Sequence, residues 1–598
     1  MKQIPLTLLV WLFLLALPAR AQWLTQTLNL KQGWNAVFLH VDSGYATVDE
    51  LIGAAAPLVT PIEQVWRWDP KPTTAQFIIS PQQPIDTGSQ WVSWKRASGS
   101  GSALRRLAGN TAYLVYSTTD YTWELKGRPV LPSYQWSVSG LNFFGFPTVP
   151  TSPPSFDQFL AGVPSLQLGE IFRYNGGELS SDNPARIFAF RSIPVVRGEA
   201  YWIRAGEVYN SYYGPFEVTA TGNGQIQFGD SLNSYSFRLR NLTSSPLTVT
   251  LKLKESESAP AGQTPIAGLP PLLVRGEQNQ TNLTYTYSEL TLGASQSWTL
   301  APQGQQGSET EVVIGLDRVQ VTGAPTDLLA GLLELTDSLG QTRIDLAVSA
   351  EVSVPTGLWV GAAAVTSVGQ YLQSYLRDAN NQLVVNTNGA YVVTGIITNL
   401  TPVPTAYPLR IIVHNPDSGP ATLWQRIFFG YNATTNPIVA NQESALAPNL
   451  ISQARRLSAS HLPWSKANPG WSFSGPLAQG AVVKASITND FRDQASNPFL
   501  HTYHPDHDNL NASFRNELPQ GSESYTIVRE ITLSVDPPAD DFNSRVNASA
   551  NLSGRYLESI RVQGLARAGN TFDARRFDVS GAFSLNRISG IPTLTLVP

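Results

Sequence analysis

The sequence predicts an all-β-dominated chain of several domains, with few short helices. Three observations lead there. Charged residues are only 14% of the chain, against roughly 25% in average soluble domains, while 46 glycines and 43 prolines punctuate it at short intervals. Apolar residues alternate with polar ones in many runs of four to eight, the period of a half-buried strand. Finally, one block near the N-terminus occurs twice.

In chain order, residues 1–21 read as a secretory signal. Lys2 opens a short basic start, an apolar run extends from Ile4 to Leu17, and Ala19-Arg20-Ala21 supplies the small-x-small cleavage site. The mature chain is expected to start at Gln22, and losing Lys2 and Arg20 moves the formal charge from −4 to −6. A mildly acidic chain lacks the basic stripe that nucleic acid demands. No later stretch reaches the roughly 20 apolar residues of a membrane span, so none is expected once the signal is cleaved. With 0 cysteines no disulfide can brace a domain, and stability must come from burial.

The duplication covers 22–128 and 129–219. Gly33-Trp34-Asn35-Ala36-Val37-Phe38-Leu39 returns as Gly140-Leu141-Asn142-Phe143-Phe144-Gly145-Phe146, and Thr47-Val48-Asp49-Glu50 as Ser155-Phe156-Asp157-Gln158. The latter pair predicts a capping box and a short helix in each copy. Val65-Trp66-Arg67-Trp68 matches Ile171-Phe172-Arg173-Tyr174, and Gly109-Asn110-Thr111-Ala112-Tyr113 matches Gly198-Glu199-Ala200-Tyr201 with one residue deleted. Trp66 and Trp68 share a face and are expected in the core. Trp91 and Trp94 lie near Lys95 and Arg96 in a Gly/Ser-rich neighbourhood, and are expected to be exposed as ligand-binding rings able to stack on a sugar.

From 220 to 352 the alternation is clean. In Leu247-Thr248-Val249-Thr250-Leu251-Lys252-Leu253-Lys254 every second residue is apolar, which suits an immunoglobulin-like sandwich without the Cys-Trp-Cys signature. Residues 353–598 hold eight strand-like runs, among them Leu358–Val365, Tyr525–Val535 and Phe577–Leu585, and are expected to form one large β-sandwich or jelly roll. One stretch there, Leu450–Leu457, reads as helix.

Three of the six histidines fall within His501-Thr502-Tyr503-His504-Pro505-Asp506-His507-Asp508-Asn509. Pro505 excludes a continuous helix, so the stretch is a loop, within 497–511, on a long connection between strands. His501, His504 and His507, with Asp506 or Asp508, could hold Zn, Fe or Mn if the loop folds back on itself. Oxygen ligands there would suit Ca, although EF-hand spacing is absent. The structural alternative is that Asp and Asn bond the loop's own backbone while the rings pack it down. His414, ahead of Asn415-Pro416-Asp417, is either a further ligand or a turn cap.

The order Gly-Trp-Asn, aromatic-Arg-aromatic, Gly-x-Ala-Tyr over 22–219 resembles "GWN" accessory modules of large secreted bacterial proteins, although the second copy has Leu141 in place of Trp. That resemblance implies a non-catalytic β-module. Residues 355–598 resemble the C-terminal domain of large secreted bacterial multi-domain proteins. They carry Gly357-Leu358-Trp359-Val360-Gly361, Asn497-Pro498-Phe499 before the histidines, Gly554-x-Tyr556-x-Glu558 and Gly581-x-Phe583-x-Leu585. No activity comes with it.

No Gly-x-Ser-x-Gly elbow, His-Glu-x-x-His, phosphate-binding glycine loop or dinucleotide fingerprint occurs. The expected function is therefore a secreted or cell-envelope binding, adhesive or structural protein, whose partner is an envelope or extracellular protein or a polysaccharide. Two alternatives are kept: a metal-dependent hydrolase acting through 501–509, and a carbohydrate binder using exposed aromatics of the duplicated modules.

Overall fold

The computed structural model describes residues 22–594, apart from 134–139, 205–211, 450–454, 490–525, 564–573 and a few residues elsewhere. The chain forms two compact units, Met1–Val352 with Asp541–Val546, and Ser353–Asp540 with Asn547–Pro598. Strands dominate both, and the fold is all-β.

The first unit opens with β1 (Leu24–Leu30), β2 (Gly33–Leu39), β3 (Val41–Ser43), helix α1 (Val48–Ile52), β4 (Ile62–Trp68), β5 (Trp91–Lys95), β6 (Thr111–Ser117) and β7 (Tyr121–Pro129). They make two sheets, β2-β6-β4-β5 and β1-β7-β3. Leu28, Val37, Leu39, Val65, Trp94, Val115 and Trp123 meet in one core. The duplicated block then gives β8 (Leu141–Phe144), α2 (Phe156–Phe159), β9 (Glu170–Arg173), β10 (Ala185–Arg186) and β11 (Tyr201–Arg204), in the sheet β8-β11-β9-β10.

Strand order is thus the same in the two copies, first-fourth-second-third, and so is register. Asn35 faces Val115 and Val37 faces Tyr113, while Asn142 faces Ile203 and Phe144 faces Tyr201. Both capping boxes form: Thr47 and Ser155 accept from the amides of Glu50 and Gln158, whose side chains accept in return. In each copy the repeated tyrosine accepts a bond from the amide five residues upstream, Ala108 to Tyr113 at 2.8 Å and Val196 to Tyr201 at 3.0 Å. Each repeated asparagine donates to the carbonyl of the glycine two residues before it, Asn35 to Gly33 and Asn142 to Gly140.

The copies do not stand apart. The free edge of β2 is taken by the second copy: Trp34 N donates to Gly177 O at 2.9 Å, Phe38 N to Gly198 O at 2.8 Å, and Ala200 N to Ala36 O at 3.1 Å. Trp34, Ala36 and Phe38 then share a core with Phe143, Phe144, Tyr201 and Trp202 of the second copy. Every residue of β2 is buried as a result, which is why Gly33-Trp34-Asn35-Ala36-Val37-Phe38-Leu39 is almost continuously apolar.

The sandwich follows. Strands β12 (Phe216–Ala220), β13 (Ile226–Gln227), β14 (Ser234–Asn241), β15 (Leu247–Glu255), β16 (Ile266–Gly268), β17 (Leu272–Gln278), β18 (Tyr285–Leu290), β19 (Ser295–Leu300), β20 (Glu309–Leu316), β21 (Leu328–Asp337) and β22 (Arg343–Glu351) form two sheets, β12-β14-β20-β17-β18 and β13-β22-β21-β15-β19. The alternating residues Leu247, Val249, Leu251 and Leu253 line the core between them, as their period requires. An ionic chain ties the second copy to the sandwich. Arg197 bonds Thr148 O, Arg343 O and Asp345, Arg343 pairs with Asp345 and Glu334, and Lys254 pairs with Glu334. Burial pulls the Arg197 guanidinium down to about 10 despite Asp345, its largest opposing influence.

In the second unit the strands are β23 (Gly357–Tyr375), β24 (Val393–Asn415), β25 (Thr422–Trp424), β26 (Arg426–Tyr431), β27 (Pro437–Ala440), β28 (Arg455–Ser458), β29 (Ser460–Ser465), β30 (Asn468–Ser472), β31 (Val482–Asn489), β32 (Thr526–Val535), β33 (Asn551–Gln563) and β34 (Ala574–Ser589). Nine of them join in one sheet, β29-β30-β25-β24-β23-β34-β33-β32-β31, which curls until Ser474, just past β30, exchanges bonds with Lys484 of β31. A bulge at Thr366, where both neighbouring registers shift, bends β23 within that curl. The helix expected over Leu450–Leu457 is corrected for its described part: Arg455–Ser458 is strand β28, paired with β26. Local helix propensity there is overridden by an available sheet edge. Among the described residues no helix is long and apolar enough to cross a membrane.

Candidate functional site

A ligand-sized cavity among the described residues lies on the sandwich. Strands β15 and β16 bond to the same edge of β21 in succession, β15 as far as Glu255 opposite Gly331, and β16 opposite Leu328 and Leu329. Between them the chain leaves the sheet at Ser256 and returns after Pro265, and the gap becomes a cleft of about 550 Å³, within the usual range of ligand sites. Ile266, Leu269 and Ala330 give it apolar walls, while Glu255, Ser256 and Gln263 bring polar groups.

Those polar groups differ in what they can still do. Glu257 accepts from Thr25 N at 2.8 Å and Thr25 Oγ1 at 2.5 Å, and pairs with Lys126. Although burial opposes it, these bonds hold the Glu257 carboxyl below its ordinary value. Ser256 Oγ accepts from Trp23 N and gives its proton to Glu257 O, so no base activates it. Glu255 is exposed and has no ion-pair partner among the described residues. The cleft can therefore bind through one available carboxylate and an apolar wall, but it contains no coupled nucleophile and base.

A second polar group sits inside the sheet of the second unit. Arg529 donates from Nε to Glu558 Oε1 at 2.5 Å and from Nη2 to Gln425 Oε1 at 2.6 Å. Tyr556 donates to Glu558 Oε2 at 2.5 Å, and Gln425 Nε2 closes the ring on Tyr556 at 3.4 Å. Arg529 and Glu558 are fully buried. Burial pushes the Tyr556 hydroxyl well above its ordinary value, with Glu558 adding to the effect. At Arg529 burial is the largest single influence and lowers the value, but Glu558 and Tyr556 together offset it and hold the guanidinium above its ordinary value. Each side chain is committed to another, the arrangement of a structural pin, although Arg529 Nη1 is buried without a hydrogen-bond partner.

The residues singled out from sequence fall differently. His501, His504, Asp506, His507 and Asp508 lie outside the described residues; the flanking strands β31 and β32 pair with each other. Among the described residues no group of three His, Asp or Glu side chains converges as a metal site would. His414 is buried with Nε2 3.0 Å from Ile591 O, a main-chain contact. The exposure expected for Trp91 and Trp94 is corrected: they are 7% and 1% exposed. Trp91 points out of the first copy's own core, but Phe143 and Trp202 of the second copy cover it, and these two and Trp68 of its own copy all meet its ring edge-on. Trp94 points the other way, into the first copy's core. The neighbouring Arg96, taken as a sign of the surface, instead donates to the carbonyls of Ile52, Thr60 and Ile62.

Two groups escaped the sequence reading. Arg529 interrupts the apolar face Ile527, Ile531, Leu533, Val535, and Glu558 shares a face with Tyr556 and Ile560; a charge at an inward position was the available signal. Glu255 was marked only by the break in alternation after Lys254.

No family model matches the chain, and no curated protein matches it. Three solved structures from Bacteroides ovatus show a partial likeness. One, from strain ATCC 8483, bears a description that proposes carbohydrate binding; identity is 8%, 45% of this chain and 80% of that chain are covered, and the TM-score is 0.15. The second, of unknown function, is 11% identical over 63% and 97%, with a TM-score of 0.15. The third is a multidomain protein including DUF1735, 10% identical over 63% and 95%, with a TM-score of 0.12. Likenesses with TM-scores this low carry no argument about this chain.

Proposed function

We propose that the chain is an exported, non-catalytic binding and structural component of the bacterial envelope or its surroundings, cleaved after Ala21. The observation that supports this reading best is the cleft beside Glu255, ligand-sized yet with its serine hydroxyl and its second carboxylate already engaged in structural bonds. A protein or polysaccharide of the envelope is the proposed partner, with Glu255 meeting hydroxyl or cationic groups. The experiment is co-sedimentation of the purified mature chain with insoluble polysaccharides and envelope fractions, alongside Gly268→Trp. Gly268 lines the cleft, and a side chain there has space, since a Cβ would meet only Leu329 Cδ2 at 3.7 Å. Binding by the wild type that is lost in Gly268→Trp supports the cleft. Equal binding by both removes it as the site, and release of soluble fragments from the polymer overturns the non-catalytic reading.

The divalent-metal reading of 501–509 is kept as a proposal for elemental analysis. Stoichiometric Zn, Mn, Fe or Ca that disappears in His504→Ala supports it, and a metal-free wild type removes it.

A further inference from the structure

We propose that Gln22 is a modification site: once exposed as the amino terminus it closes on itself to give a pyroglutamyl residue. The inference rests on the proposed cleavage after Ala21. What the structure adds is where that terminus sits. Trp23 is no free tail. Its amide donates to Ser256 Oγ at 2.8 Å, its carbonyl accepts from Glu257 N at 3.0 Å, and its ring is buried against Gly44 beneath the Arg128 guanidinium. Gln22, one residue earlier, is fully buried in the uncleaved chain, and neither Nε2 nor Oε1 of its side chain has a hydrogen-bond partner there.

Cleavage places an α-ammonium one residue before the anchored Trp23, beside Ser256 and Glu257, and charges without partners are costly to bury. The carboxylate bridging this segment, Glu257, is already engaged by Thr25 and Lys126. Gln22 carries the remedy in its own side chain. The uncharged α-amine, present in quantity because its pKa is about 8, places its lone pair on Cδ. The N–Cδ bond forms and the Cδ–Nε2 bond breaks. Nε2 departs as ammonia, taking one proton from the attacking amine. Nothing is oxidised or reduced. The lactam that remains is neutral, so the terminal charge and the unpartnered amide nitrogen are both gone. The step is intramolecular and needs no access for a second macromolecule.

The test is intact-mass and N-terminal peptide analysis of the full chain secreted with its own leader from a bacterial host. The expected product starts at Gln22, weighs one ammonia less than the uncyclised chain, and resists stepwise degradation from the amino end. A chain that starts at Gln22 with a free amine overturns the modification while leaving the cleavage reading intact. A chain that starts elsewhere overturns both. Gln22→Asn, whose shorter side chain would have to close a strained ring, is expected to keep its amine and to melt at a lower temperature than the wild type. An unchanged melting temperature overturns the burial argument.

Discussion

Gly33 and Gly177 meet main chain to main chain across the seam between the two duplicated sheets. Gly33 sits at φ +92° and Gly177 at φ +73°, and a Cβ on Gly33 would collide with the carbonyl oxygen of Gly177. That contact permits the Trp34 to Gly177 bond and seats β2 against the second copy. Gly33→Ala is therefore expected to lower unfolding free energy by about 2–4 kcal/mol, combining left-handed strain with a steric clash. Gly304→Ala, also at positive φ but with nothing within 4 Å, should cost only the strain, about 1 kcal/mol. Denaturant titration of both variants checks the difference.

The Arg529–Glu558 pair makes a different prediction. Glu558→Gln leaves a fully buried guanidinium without its counter-charge and is expected to destabilise the second unit by about 3–5 kcal/mol. The double replacement Arg529→Met with Glu558→Leu removes both charges and should recover most of that loss. A double variant as unstable as the single one would show that hydrogen bonds to Gln425 and Tyr556, rather than charge compensation, hold the ring.

Trp91→Ala tests the fused core. Removing a ring packed by Trp68, Phe143 and Trp202 opens a cavity, and a loss of about 3–5 kcal/mol is expected. Polysaccharide co-sedimentation of the surviving folded protein should stay at the wild-type level, because Trp91 is 7% exposed. Weakened binding with unchanged stability would restore its expected role as a ligand platform.

His40 gives a pH dependence. Burial first, and Arg197 second, keep its imidazole well below the ordinary 6.5, while a main-chain bond to Phe146 works the other way. The unfolded chain protonates as pH falls through 6.5 and the folded chain does not, so the unfolded state binds more protons and gains ground. Stability attributable to His40 is complete above 6.5 and declines below it, by at most about 1.4 kcal/mol per pH unit, until the folded value is reached. Urea melts of the wild type and His40→Gln between neutral and mildly acid pH isolate that slope. Parallel slopes would assign the acid sensitivity to other groups.

Much of the fold was legible because it is periodic. Alternation located β15, β32 and β34, and the repeated capping residues located α1 and α2. What sequence could not supply was the identity of each face's neighbour. Trp91 was expected at the surface because its sequence neighbours are polar, yet the second-copy residues that bury it, Phe143 and Trp202, lie far along the chain. Arg455, Arg456 and Leu457 read as the end of a helix because pairing with β26 is a tertiary fact. The cleft arises from two strands sharing one edge of β21, a relation that no local pattern encodes.

The seam along β2 bears on inheritance. A repeat whose copies fold alone can be lost, multiplied or moved between genes one at a time. Here Trp34, Ala36 and Phe38 are buried by the second copy and the outer edge of β2 is capped by it. Deleting either copy would strip the other of its cover, so recombination can carry this pair forward only as a couple.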